Sequence, residues 1–414
     1  MTTFFISAII ASSIAGVIIR PFKLPEAVWA VTGAALLVLF GLITLHDGLL
    51  GVLKGTDVYL FLTGMMLLSE TAREEKLFEW FAAKATKASG GSGTRLFLLV
   101  YLVGVVVTIF LSNDATAVVL TPAVAAATKS AKVESPLPYL FICAFVANAA
   151  SFVLPISNPA NLVIYGSHLP SLSNWIPQYI LPSLVSVMAT YGLLFFSQRK
   201  NIRQAVESSV DVPRLSLGGK ISLWGIAITA FVLLACSAKD MQLGAPTAIM
   251  GLLTSAVVLI FRRKSPMELL RAVSWSVLPL VAGLFVLVEG LIKTGIIKAI
   301  TGIIQNQASH ALNATAWTSG LIVATASNLM NNLPVGLIAG EVFKSVGHVD
   351  QIQRATLIGI DLGPNLSITG SLATLLWLVA LRREGQNVGA WDFLKLGAFV
   401  MTLTLIMTLA TVFI

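Results

Sequence analysis

The chain has 414 residues, of which 56% are hydrophobic and only 11% charged, about half the charged share of a soluble domain. A formal net charge of +8 would suit a nucleic-acid partner, but the basic residues cluster in short loops between apolar runs, the pattern of cytoplasmic loops in membrane proteins. Nucleic acid is therefore excluded as a partner, and membrane lipid is expected instead.

Apolar runs of about 17–25 residues, long enough to span a bilayer, recur from end to end. The first, Phe4–Ile19, is followed by no cleavage-site pattern and is read as a retained membrane helix, not a signal peptide. Crossings are expected at 3–20, 25–45 and 56–72. Phe78, Trp80 and Phe81 among Lys76, Lys84 and Lys87 then suggest an amphipathic helix on the cytoplasmic surface, as a plain interfacial anchor or as a brace for a moving hairpin. That re-entrant hairpin is expected at 95–128, with a broken crossing at 137–168 and a last crossing at 175–197. The stretch 198–220, the longest polar one, reads as a flexible cytoplasmic linker. Beyond it the order recurs: crossings at 221–238, 244–261 and 275–292, a hairpin at 312–344, a broken crossing at 352–381 and a final crossing at 391–414.

The recurrence is visible in the residues. Gly64–Glu70 (GMMLLSE) resembles Gly283–Glu289 (GLFVLVE), and Asn113 follows Glu70 by 43 residues where Asn331 follows Glu289 by 42. Asn161 precedes Gly166 by five positions, as Asn365 precedes Gly370. With residue 1 outside, 21 of the 27 Lys and Arg residues fall on the cytoplasmic side, the exceptions being Lys54, Lys239, Lys293, Lys298, Lys344 and Arg354. That bias makes the halves 1–197 and 221–414 inverted repeats. The expected fold is thus an all-α polytopic membrane protein of two inverted repeats, with about ten crossings and two re-entrant hairpins. Ala115–Thr128 spans only about 21 Å as a helix, short of the roughly 30 Å hydrocarbon core, which favours a hairpin. A twelve-crossing version keeps the same loop sides.

Polar interruptions punctuate these apolar segments at Ser112-Asn113-Asp114-Ala115-Thr116, Asn158-Pro159-Ala160-Asn161, Met330-Asn331-Asn332-Leu333-Pro334 and Gly363-Pro364-Asn365-Leu366-Ser367. A backbone that leaves the helix inside a bilayer loses hydrogen bonds that lipid cannot replace, so such breaks occur where they line a protected cavity. Paired breaks in two halves point to a transporter's binding site. The candidate ligands are Asn113, Asp114, Thr116, Asn158, Asn161, Asn331, Asn332, Asn365 and Ser367. Each has a plainer reading as a helix cap or a backbone partner.

The runs Ser112–Pro122 (SNDATAVVLTP), Asn328–Leu337 (NLMNNLPVGL) and Asp361–Ser367 (DLGPNLS) resemble the signatures of ArsB-type arsenite efflux pumps, a branch of the ion transporter superfamily. The likeness covers nearly the whole chain. The related sodium–dicarboxylate branch carries Ser-Asn-Thr at both tips, whereas this chain has Ser112-Asn113-Asp114 and Met330-Asn331-Asn332. The resemblance implies a multi-pass protein of the bacterial inner membrane that exports arsenite and antimonite in exchange for protons. It also implies that a separate cytoplasmic ATPase can be a partner.

The chemistry of the breaks suits such a cargo. Arsenous acid is uncharged near neutral pH and presents three hydroxyls, which asparagine amides can meet as donors and acceptors. Helix N-termini after Asp114 and Asn332 would add backbone N–H groups. Two cysteines, Cys143 and Cys236, cannot form a trithiolate site and are read as packing residues, with no disulfide between them. A weak, oxygen-lined site suits a carrier that must release its cargo. For proton coupling the candidates are carboxylates at membrane depth, where ionisable groups are costly and functional: Asp114, Asp361 and Glu289. Arg354 could pair with Asp361 and Lys293 with Glu289, while Glu70 beside Arg73 is structural. Histidines 46, 168, 310 and 348 fall in outer loops. No phosphate-binding loop, HExxH, CxxC or haem motif occurs, so the chain is read as a transporter, not an enzyme, with no cofactor and no resident metal. A sodium–proton antiporter and a channel for small neutral solutes are the alternative readings.

Overall fold

The computed structural model describes residues 2–166, 169–346 and 350–414, and among them the architecture is helical throughout. Six helices are long and apolar enough to cross a membrane: Thr2–Ile19, Gly93–Leu111, Leu172–Ile202, Leu217–Ser237, Gly244–Arg262 and Ala390–Phe413. Five of these are expected crossings; the sixth is the ascending arm of the first hairpin. Two further spans are bent pairs, Leu45–Lys54 with Thr56–Glu74 at 45° and Pro266–Ala272 with Val277–Lys293 at 44°. The expected crossing at 25–45 is shorter than anticipated. Its helix ends at Leu39 because the chain turns through Gly41 at φ 65.

The bend before Thr56 has a local cause. Thr44 and Asp47 form a reciprocal capping box that starts the amphipathic helix Leu45–Lys54, and Gly55 ends it. Thr56–Glu74 then packs closely on Gly244–Arg262. A Cβ on Gly64 would lie 2.1 Å from the Thr247 carbonyl oxygen, and one on Gly251 would lie 2.5 Å from that of Gly64. Small residues let membrane helices approach to this distance.

Both hairpins are present. The first rises through Gly93–Leu111, turns at Ser112 (φ 130) and returns through Asn113–Ala115, a π-helical stretch over Thr116–Leu120 and Thr121–Ser130. The second rises within Ile296–Met330, turns at Asn331 (φ 73) and returns through Asn332–Val346. Its ascending arm starts after a non-helical Ala311, and residues 296–310, expected to be loop, continue the helix on the other side of that kink. The broken helices are Leu137–Ala149 with Pro159–Tyr165, and Asp350–Leu362 with Leu372–Arg383.

The helix Leu77–Ala88 does more than anchor at an interface. Phe78 is fully buried, and the helix packs on both Gly93–Leu111 and Thr121–Ser130, bracing the two arms of the first hairpin. Lys84 caps its aromatic face from 4.3 Å above the Trp80 ring.

The stretch 198–220 departs from the expected flexible linker. Its first residues extend the helix Leu172–Ile202, and Gln204–Glu207 then pair with the neck of the first hairpin. Gly93 N–H donates to Gln204 O at 3.0 Å, Val206 N–H to Gly91 O at 3.0 Å and Glu207 N–H to Ala131 O at 2.8 Å. Side chains add to the docking: Glu207 pairs with Lys132 at 2.7 Å, and Glu134 N–H donates to Gln204 Oε1 at 2.9 Å. At the far end Ser216 Oγ donates to the buried Glu75 carboxylate at 2.7 Å, which also meets Lys264 at 3.1 Å and Arg262 at 3.3 Å. Burial alone would push the Glu75 carboxyl up, but the Ser216 hydroxyl and the two cations outweigh it and hold it below its ordinary value. A lowered carboxyl adds stability above the unfolded pKa and loses it as pH falls through the folded one. Glu75→Gln is therefore expected to lower the melting temperature at pH 7, and the gap from wild type should close below about pH 4, near the ordinary glutamate value. Melting curves of both proteins across pH check this; a gap that does not change with pH would exclude the ion pairs as its source.

Candidate functional site

Four helices begin at one small crevice. Their N-terminal residues line it: Asn113 with Asp114, Asn158 with Pro159, Asn332 with Leu333, and Ser371 with Leu372 and Ala373. Each start is capped by a side chain that the sequence supplies just before an apolar run. Ser112 Oγ accepts from Ala115 N–H at 3.4 Å, Asn158 Oδ1 from Ala160 N–H at 3.0 Å, Asn331 Oδ1 from Leu333 N–H at 3.3 Å and Ser371 Oγ from Thr374 N–H at 3.1 Å. Each helix start carries roughly half a positive charge, so the crevice favours electron-rich ligands. Asp114 is the side-chain charge that answers it.

The turns that bring these starts together are strained. Ser112 at φ 130 and Asn331 at φ 73 occupy left-handed or extended positive-φ backbone, a conformation that costs a non-glycine residue about 1–3 kcal/mol and recurs at ligand clamps. Ser112, not Asp114, is the cap of the first tip, so the Asp114 carboxyl is spared for other work. It lines the crevice and also a larger cavity of about 400 Å³ that runs past Ser112 to Glu70, Arg73, Arg383 and Glu384. The crevice itself has room for about one water, at ≈ 10 Å³. Asp114 is thus reached from the large cavity, and the crevice beyond it holds nothing larger than a water unless the tips part.

Behind the crevice Asn158 reaches a second carboxyl. Its Nδ2 donates to Asp361 Oδ1 at 2.7 Å, and Asp361 is completely buried, with Oδ2 unpartnered. Arg354 does not pair with it. Seven residues along one helix separate the two by about 10 Å, and the Arg354 Nε is itself buried without a partner. An unpaired buried carboxyl oxygen is costly, and ionisable groups at this depth mark ion pathways.

The remaining sequence candidates lie off the crevice. Thr116 Oγ1 bonds Thr108 Oγ1 at 2.8 Å, spanning the two arms of the first hairpin. Asn161 Nδ2 donates to Ser151 O at 2.8 Å and braces the break of its own helix. Asn365 accepts from Asn148 Nδ2 at 2.9 Å and donates to Phe145 O at 3.0 Å, tying the two broken helices together. Ser367 Oγ donates to Asn328 Oδ1 at 2.7 Å. Asn331 is the cap already described. Glu289 is corrected on its partner: it pairs with Lys54, while Lys293 takes Asp47, so the helices Leu45–Lys54 and Val277–Lys293 are cross-linked by two ion pairs apart from the crevice. Glu70 pairs with Arg73 as expected. His46 and His310 are exposed; His168 and His348 lie outside the described residues.

Two residues escaped the sequence reading. Ser371 bears the capping signal, a serine directly before the apolar run Leu372–Leu378. Asn148 is the single asparagine in an otherwise apolar helix, which is itself a signal. Among the described residues no group of three His, Cys, Asp or Glu could hold a metal. Cys143 is fully buried and Cys236 half-buried, each packed in apolar surroundings.

The chain is 27% identical over 365 residues to an arsenical pump membrane protein of Yersinia enterocolitica, covering 84% of this chain and 83% of that one. A putative arsenical pump membrane protein of Bacillus subtilis is 26% identical over 424 residues, covering 95% of each. The arsenical pump membrane protein of Escherichia coli K12 is 26% identical over 365 residues, at 84% and 83%. Among solved structures, the Alcanivorax borkumensis YdaH transporter, described as having an unusual topology, shares the fold with a TM-score of 0.56 at 15% identity, over 88% of this chain and 86% of that one. The resemblance to ArsB-type pumps is thus matched by its relatives, and the chain is a multi-pass transporter of the bacterial inner membrane. The sequence profile of the CitMHS family, described as citrate transporter, matches residues 3–360, and the chain belongs to that family.

Proposed function

We propose that this protein is a secondary carrier that exports arsenite and antimonite in exchange for protons. The observation that carries the reading is the crevice: four capped helix starts, three asparagines, a serine and one carboxyl, with no Lys or Arg among its lining residues. Such a set hydrogen-bonds a small neutral polyhydroxyl and releases it again. The relatives' names, arsenical pump membrane proteins, point to the same cargo. Coupling is assigned to two carboxyls on either side of Asn158: Asp114 faces the large cavity, and Asp361 is buried behind it.

The two halves, 1–197 and 221–414, are inverted repeats joined by 198–220 in this reading. It is supported by the near-equal bends of 45° and 44°, by a positive-φ residue at each hairpin tip and by a break at corresponding places in Leu137–Tyr165 and Asp350–Arg383. The charge bias then puts Arg73 and Arg383, and with them the large cavity, on the cytoplasmic side. That cavity is the entry for cytoplasmic arsenite.

A second reading, citrate transport, is favoured by the family description and by the positive helix starts. It meets an obstacle in the crevice, where a multivalent anion would face the Asp114 carboxyl without a basic side chain to balance it.

Purified protein in proteoliposomes decides between them, with no ATPase present. Arsenite uptake that tracks an imposed pH gradient and is competed by antimonite is the expected result. Citrate uptake without arsenite uptake, sodium-driven proton movement without arsenite, or arsenite flux indifferent to every ion gradient would each overturn the proposal. Replacement of Cys143 and Cys236 by Ser in the same assay is expected to leave the arsenite transport rate within about twofold, because neither thiol faces the crevice and a weak oxygen-lined site does not need them. Loss of transport in that variant would overturn the oxygen-lined site.

A further inference from the structure

The cavity of about 400 Å³ beside Asp114 has two long walls, each one face of a helix. On Thr56–Glu74 the lining residues are Leu62, Met65, Met66, Ser69, Glu70 and Arg73. On Leu372–Arg383 and its C-cap they are Leu376, Val379, Ala380, Arg383 and Glu384. Both sets advance by three residues and then by one, the spacing of a single helical stripe. In both the apolar residues come first, and one acid and one base come last. The walls are held by different parts of the fold. Thr56–Glu74 is fixed to Gly244–Arg262 by close glycine contacts and by the Thr71–Ser255 hydroxyl bond at 2.8 Å. Leu372–Arg383 packs instead on Thr116–Leu120 and Thr121–Ser130, the return arm of the first hairpin. Among the described residues no ion pair joins the two faces, and Arg383 and Glu384 pair with nothing.

We propose that these two faces close on each other as the gate that shuts the entry cavity while cargo leaves on the other side. The latch is an exchange of ion-pair partners, Glu70 to Arg383 and Arg73 to Glu384. The inference rests on the carrier reading above and deepens it by naming the gate.

The two faces match in register as well as in charge. Both helices run toward the cytoplasmic side in that reading, so they meet in parallel. Setting Glu70 opposite Arg383 places Met66 opposite Val379 and Leu62 one residue from Leu376. It also leaves Arg73 less than one turn from Glu384. Each charge then faces its opposite, and the apolar residues beneath form a dry plug of the kind that closes membrane pores. Opening strands no buried charge. Arg73 Nε donates to Glu70 Oε2 at 2.9 Å within its own helix in the open form, and Arg383 and Glu384 stand exposed to water. The latch therefore trades one set of partners for another, as a gate that must open again requires.

The test places Met66→Cys and Val379→Cys together in a background of Cys143→Ser and Cys236→Ser, in proteoliposomes. With no cargo present, oxidation by copper–phenanthroline is expected to join the two thiols. A disulfide needs Cβ atoms about 4 Å apart, a condition that opposite walls of the cavity meet only when they close. Charge reversal then probes the latch. Glu70→Arg and Arg383→Glu each set like charges face to face, and each is expected to slow the cross-linking by about fivefold or more. Each should slow arsenite counterflow, in which labelled arsenite exchanges for unlabelled without an imposed pH gradient, to the same degree. The variant carrying both reversals restores opposite charges across the gate and should bring both rates back to within about twofold of the parent protein. A double reversal as slow as the singles would overturn the proposal, by reducing Glu70 to the local partner of Arg73. Thiols that never join would overturn it too. Wild-type protein that carries no arsenite is a different result: it would remove the cargo assigned above, while the cross-link, which needs no cargo, still decides the gate.

Discussion

Asp361→Asn is expected to abolish uphill export while sparing downhill exchange of arsenite. The substitution keeps the shape of the side chain and the oxygen that accepts from Asn158 at 2.7 Å. It removes the one property an ion-coupled carrier needs there, a change of charge. A difference of one pH unit is worth about 1.4 kcal/mol per proton, so one-for-one exchange concentrates substrate up to about tenfold. In Asp361→Asn the inside and outside concentrations should become equal. Asp114→Asn separates the two carboxyls. Because Ser112 caps the first tip, Asp114 is not required for the helix start, and a variant that merely lost a cap would not explain a defect there. If Asp114 hands the proton to the large cavity that it lines, its Asn variant also fails to accumulate arsenite. Proportional accumulation in both variants would exclude both residues as the coupling site and direct attention to substrate ionisation or to Glu70 at the cavity mouth.

How much of this was legible in the sequence depends on the element. The hairpins and broken helices were legible because each interrupts an apolar run with residues that a lipid-embedded helix does not tolerate without protein around it. Asn113, Asp114, Asn158 and Asn332 were found by that logic and meet at the crevice. Thr116, Asn161, Asn365 and Ser367 carry the same composition, yet their hydrogen bonds go to Thr108, Ser151, Asn148 and Asn328. Only tertiary structure distinguishes an amide that faces a cavity from one that ties two breaks together. The amphipathic segments were harder. Residues 296–310 carry Gln305, Asn306, Gln307, Ser309 and His310 on an exposed face, so hydropathy alone gave loop where the chain is helix. The docking of Gln204–Glu207 combines three backbone hydrogen bonds, which no side-chain pattern reports, with side-chain bonds to Lys132 and Glu134 whose partners only the tertiary structure brings close. Ion-pair partners were misjudged for a related reason. Spacing along one helix favours Glu289 with Lys293, but the facing helix offers both residues another partner, and Lys54 and Asp47 take them.

In the proposed exchange Asn158 would join cargo and proton, and its removal is expected to have effects at both ends. Its Oδ1 caps Pro159–Tyr165 through Ala160, and its Nδ2 holds Asp361. Asn158→Ser keeps a capping oxygen but is too short to reach the carboxyl. Leaving a buried acceptor without its donor costs about 1–3 kcal/mol, so the variant should unfold more easily by that amount. Combining it with Asp361→Leu removes the stranded group, and the double variant should be less destabilised than the sum of the two singles by about 1–3 kcal/mol. Denaturant titration of the four proteins in detergent measures this coupling. Additivity to within about 0.5 kcal/mol would mean that the two residues act independently, and the link between crevice and carboxyl would fall. If the coupling is present, Asn158→Ser should also lose more gradient-driven accumulation than counterflow, because arsenite then occupies a crevice no longer connected to the group that carries the proton. A variant that loses both in equal measure would reduce Asn158 to a substrate ligand and leave the exchange to be coupled elsewhere.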